Sequence, residues 1–157
     1  MYKRQRTICV DVLHTFHLGI LVEFTKLALW RLLEAGVWGA LEGNMEESLR
    51  VAVLTLRNAL WSWYERRHRT FPEEHLTRLA DLVPSMLGNP SSRKLKTKAS
   101  ETWAVTLVAN DMLLRFGHRL GDEAPLLQEA GKSLVDIISI MRASGNVMPP
   151  TARQDFQ

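Results

Sequence analysis

Hydrophobic residues between Ile8 and Ala35 recur on two sides of a helix rather than one. Leu13, Phe16, Ile20, Phe24 and Leu27 fall on one stripe, and Leu18, Val22, Leu29 and Leu33 on the opposite side. A helix apolar on both flanks needs neighbours on both, so this segment is read as the central post of an all-α domain on which later helices lay single apolar stripes. Gly36 is placed to take the left-handed cap conformation, and Gly39 and Gly43 extend the break. Asn44 with Glu47 three residues on is a capping-box pattern that opens a second helix through about Arg67. Met45, Leu49, Ala52, Leu56, Leu60 and Trp63 recur along it at spacings of three and four, which marks its core face.

Phe71-Pro72-Glu73-Glu74 predicts a third, shorter helix, with proline in its first turn and two acids at the positive end of the helix dipole. Leu76, Leu79, Val83 and Met86 form its apolar edge, Pro84 kinks or ends it, and Gly88-Asn89-Pro90 is a firm stop. Ser91 to Lys98 is polar and basic, with Leu95 as its anchor. From about Ala99, Trp103, Leu107, Asn110 and Leu114 beside Val108 and Met112 predict a fourth helix that ends by Gly117 or Gly121. Asn110 falls on that apolar stripe and is read as a hydrogen-bonded pin between helices. Asp122 caps a fifth helix with Pro125 in its first turn and Leu127, Ala130, Leu134, Ile137, Ile138 and Met141 facing inward. Gly145-Asn146 and Pro149-Pro150 close it. No strand alternation and no internal repeat is seen. The expected organisation is a basic N-terminal extension over residues 1–7, one bundle-like domain of about five helices over 8–145, and a flexible tail over 146–157.

The length of 157 residues suits one domain with its own core, and 46% hydrophobic with 24% charged residues is the balance of an ordinary globular protein. The lone Cys9 has no internal disulfide partner, and Asn89-Pro90-Ser91 carries the proline that forbids glycosylation, so a reducing cytoplasm is expected. The basic start followed by an apolar run has the look of a secretory signal. Asp11, His14 and His17 interrupt the run, however, and Glu23 cuts it short of the roughly 20 apolar residues a spanning helix needs, so no membrane insertion is expected. Met1-Tyr2-Lys3-Arg4-Gln5 resembles the translation of a transposon end used in sequencing libraries, so a gene fragment lacking its own N-terminus is expected, the alternative being a genuine basic N-terminus.

Charge is unevenly divided. Between Tyr64 and Trp103, eight cations (Arg66, Arg67, Arg69, Arg78, Arg93, Lys94, Lys96 and Lys98) outnumber five acids by three, which is the entire formal net charge of +3. If the third helix folds Arg66, Arg67 and Arg69 onto the same side as Arg93, Lys94, Lys96 and Lys98, the surface they share neutralises several phosphates. Trp61 and Tyr64 lie alongside as residues free to stack on a base, whereas Trp63 fits the core stripe.

Catalytic chemistry finds little footing. Asp11, His14 and His17 stand at successive i, i+3 spacings but lack the Glu-x-x-His and His-Glu-x-x-His signatures, and Glu73-Glu74-His75 has the wrong spacing for either. No metal, cofactor or catalytic residue is assigned. His14 and His17 are read as hydrogen-bonded at the helix rim, and His118 and Asp122 are separated by the helix break at Gly121. The expected function is that of a non-enzymatic small helical accessory subunit contacting nucleic-acid backbone through Arg66, Arg67, Arg69, Arg93, Lys94, Lys96 and Lys98. The alternative is a purely protein-binding assembly or oligomerisation module. In it Trp30 and Trp38, flanking the glycine-rich break, form an exposed contact pair, and the doubly apolar first helix leaves a groove that another subunit completes.

Overall fold

A computed structural model describes residues 19–143. Helix α1 spans Leu21–Glu34, α2 Met45–Thr70, the single turn α3 Pro84–Leu87, α4 Ala99–Phe116 and α5 Ala124–Ala143. Two-residue strands β1, Gly88–Asn89, and β2, Ser92–Arg93, form a minimal antiparallel hairpin between α3 and α4. The fold is thus mostly helical, carried by four long helices. Among the described residues, no helix is long and apolar enough to cross a membrane. The opening stretch 1–18, with Cys9, His14 and His17, and the tail from 144 lie outside the described residues.

Local signals explain the helix ends. Gly36 closes α1 at φ +67, its N–H donating to the Leu33 carbonyl at 2.9 Å while Val37 N–H reaches Leu32 at 3.1 Å. At the start of α2, Asn44 Oδ1 accepts from the backbone N–H of Glu46 at 3.1 Å and of Glu47 at 3.4 Å. At the start of α4, Glu101 Oε2 accepts from the Lys98 backbone N–H at 2.9 Å. The 3-10 segment Gly117–Glu123 reverses the chain through Gly121, at φ +58, into α5.

The helix with a stretch buried on all sides is α4, not α1: every residue from Thr102 to Ala109 is buried. Small and β-branched side chains there let neighbours approach closely. Thr25 of α1 meets Thr106, and further along Arg119 donates to the Gly36 carbonyl at 3.2 Å, so α1 lies beside α4 in the same sense. Helix α5 returns in the opposite sense, with Gln128 Nε2 donating to Leu113 O at 2.9 Å and the Arg142 guanidinium 5.4 Å from the Trp103 ring. Helix α1 buries Leu21, Leu29, Leu32 and Leu33, yet Leu27, and Ile20 just before the helix, are 43% and 44% exposed.

The contact of α1 with α4 contains a buried hydroxyl pair whose direction can be assigned. Thr106 has one proton, which goes to the Thr102 carbonyl at 2.8 Å, so at the 2.7 Å Thr25–Thr106 contact Thr25 donates. Thr25→Val is therefore expected to cost about 1–2 kcal/mol, whereas the double change with Thr106→Val costs less than the two single changes summed, because no buried hydroxyl is left without a partner. Denaturant unfolding of the four proteins checks this, and simple additivity would refute it.

The expected third helix is absent. Residues 71–83 form an irregular strap that runs back along α2: Arg67 pairs with Glu74, Glu65 with Arg78, and Arg57 with Asp81. The chain then packs Pro84, Ser85, Gly88 and Asn89 beside Met45 and Leu49. The return covers most of a 26-residue helix, about 35 Å. Thirteen helical residues reach about 20 Å and thirteen extended ones about 43 Å, so only an extended path closes the distance. The strap is held by buried Leu79 and Leu82, and the Leu79 N–H donates to Tyr64 Oη at 3.2 Å instead of to a helical carbonyl.

Candidate nucleic-acid interface

The strap decides where the cations go. Arg66, Arg67 and Arg69 stand in the last turns of α2. Arg93, Lys94 and Lys96 belong to the hairpin segment, where Lys94 N–H donates to Leu87 O and Lys96 N–H to Met86 O, tying them to the turn that rests on the first turns of α2. Between Leu49 and Arg66 lies about 25 Å of helix. The two clusters therefore sit at opposite ends of α2, and the expected single surface shared by both is not formed. Lys98 leads into α4 and is exposed.

Several of these cations already have partners. Arg67 makes a two-point contact with Glu74, at 2.6 and 3.1 Å, and its guanidinium lies 4.3 Å from the Phe71 ring and 5.6 Å from that of Trp63. Arg93 pairs with Glu34 and covers the Trp30 ring at 5.8 Å. Arg69 Nε donates to the Glu65 carbonyl at 3.3 Å. Arg66, Lys94, Lys96 and Lys98 are exposed and have no carboxylate within ion-pair distance among the described residues.

A cleft of about 570 Å³ opens between the end of α2, the second half of α4 and α5. Arg66 and Arg67 line it from one helix and Arg115 from another, with Trp63, Phe71, Leu107, Leu114 and Val135 as apolar surface. Its single carboxylate, Asp111, is a loose 3.8 Å from Arg115, so the lining is net positive. Arg115 and Phe71 are the residues missed in the sequence. Arg115 reads there as one member of an i, i+4 pair at a helix end, and nothing local ties it to Arg66. Asn110 also lines the cleft, but not as the expected hydrogen-bonded pin: its Oδ1 is buried without a partner, against Gly131, where an added Cβ would lie 2.5 Å away.

The aromatic expectations divide. Tyr64 is buried at 3% exposure and makes an edge contact with Trp63 at 5.8 Å, so it is not free to stack on a base. Burial pushes its phenol above the ordinary value, against the opposing effect of the Leu79 N–H. Trp61 is exposed, with Arg57 5.0 Å from its ring. Trp30 and Trp38 are core residues, at 0% and 6% exposure, which removes the exposed tryptophan pair. Their place as apolar surface is taken by a groove of about 1020 Å³ between α1 and α5, lined by Ile20, Phe24, Leu27 and Leu134 and rimmed by Glu23 and Lys26.

Among the described residues, no three His, Cys, Asp or Glu side chains converge as a metal site would require. Compared with known protein families, curated proteins and solved structures, the chain finds no match.

Proposed function

We propose that this chain is a non-enzymatic helical module that contacts nucleic-acid backbone at the cleft end of α2, with Arg66, Arg69 and Arg115 facing phosphates and Arg67 as their support. The observation that carries this reading is the convergence of Arg66 and Arg115, from helices distant in sequence, on one net-positive cleft. Guanidinium groups held on rigid helices, Arg66 without a carboxylate partner among the described residues and Arg115 only 3.8 Å from Asp111, suit a phosphate better than solvated lysines on a hairpin do. Lys94, Lys96 and Lys98 then form a separate, weaker contact rather than part of one continuous patch.

The test is fluorescence anisotropy with a labelled oligonucleotide at about 50 mM salt, where backbone contacts are strongest. Arg66→Glu combined with Arg115→Glu is expected to abolish binding, and Lys94→Glu combined with Lys96→Glu to weaken it only several-fold. Binding that survives the first pair in a folded protein would refute the assignment.

If the unmodified chain binds neither single strand nor duplex, the remaining reading is assembly with a second copy through the α1/α5 groove. The acid and base on its rim, Glu23 and Lys26, pair with each other along α1 and would exchange partners across a two-fold axis. That reading requires a concentration-dependent dimer in sedimentation, dispersed by Leu27→Glu.

A further inference from the structure

We infer that the α2/α4 cleft receives an unstacked nucleobase, so that the polyanion taken by this module is a single strand and not a duplex. The inference rests on the backbone reading above and adds the chemistry inside the cleft. A purely electrostatic surface has no use for a cavity. This one has a volume of about 570 Å³, within the range of about 300–1,000 Å³ typical of small-molecule pockets.

Three features suit a flat heterocycle. Phe71 lines the cleft with 47% of its surface exposed and with Arg67 4.3 Å from its ring centroid, so part of its ring is exposed for stacking. Leu107 and Val135 supply apolar lining against which a base loses its water at little cost. Asn110 adds a carboxamide to the same lining, a polar group of the kind that pairs with a base edge. The guanidinium groups of Arg66 and Arg115 in the same lining are placed for the flanking phosphates. In a duplex the base faces are covered by their neighbours, so it gains the phosphate contacts and forgoes the rest.

The experiment compares a labelled strand of about 15 nucleotides with its duplex on the full chain at one salt concentration. The expected result is roughly 10- to 100-fold tighter binding of the single strand, with Phe71→Ala lowering strand affinity about tenfold and duplex affinity by much less. Arg66→Glu with Arg115→Glu lowers both. Phe71→Leu, which keeps apolar bulk over Arg67, should behave like Phe71→Ala if stacking is the cause, and wild-type affinity in that variant would overturn stacking. Equal affinity for strand and duplex, with no effect of Phe71→Ala, overturns base insertion and leaves the backbone reading standing. Binding of neither overturns both.

Discussion

Trp30→Ala is expected to lower the unfolding free energy by about 3–5 kcal/mol, a large part of what a domain of this size has. Trp30 is fully buried on α1, so truncation removes its apolar surface and leaves a cavity that packed helices close only in part. It also cuts a tie between distant parts of the chain, since the indole Nε1 donates to the Leu87 carbonyl at 3.0 Å. Trp30→Phe separates the two contributions. It keeps much of the volume but removes one of the two donors to the Leu87 carbonyl, which keeps the Lys94 N–H, at a cost of about 0.5–1.5 kcal/mol. The measurement is the shift of the urea midpoint at unchanged slope. A loss below about 1 kcal/mol for the alanine variant would mean that the indole is not packed as described.

Gly88→Ala should cost about 2–4 kcal/mol, although it adds only one methyl group. Gly88 sits at φ +80 and ψ −138, close to a region essentially reserved for glycine. An added Cβ would lie 2.1 Å from the Ser92 carbonyl oxygen, and as that atom is backbone, only movement of the hairpin relieves the overlap. Because Gly88 follows Leu87, the substitution also disturbs the acceptor of the Trp30 indole. Gly88→Ala and Trp30→Phe are accordingly expected to be non-additive by more than about 0.5 kcal/mol, the second costing less in the presence of the first. Strict additivity would show that the hairpin and α1 are not coupled through Leu87.

These two residues also show how far local reading reaches. Gly88 was legible as a chain stop from Gly88-Asn89-Pro90, but not as the start of a hairpin, because a two-residue strand is too short to display alternation. Trp30 gave an ambiguous signal. A tryptophan beside a glycine-rich break suits a core or an interface, and its fate was settled by a carbonyl 57 residues away. The candidate site was legible in half: Arg66 and Arg67 stand out as a run of charge, whereas Arg115 joins them only through the packing of α4 against the end of α2.

Features written within a few turns of chain are legible in the residues alone. The four long helices follow from apolar residues at spacings of three and four, the Asn44 cap from a side chain two and three residues from the amides it serves, and the end of α1 from a glycine able to take positive φ. The tertiary structure alone decided which helix lies at the centre, and that residues 71–83 are a strap and not a helix. The physical reason is length. The local pattern there is compatible with a helix, but a helix of thirteen residues falls short of the first turns of α2, where Leu87 and the hairpin find their partners. By reaching that far, the strap parts two clusters of cations that stand close in sequence, leaving one beside a cleft and the other about 25 Å away.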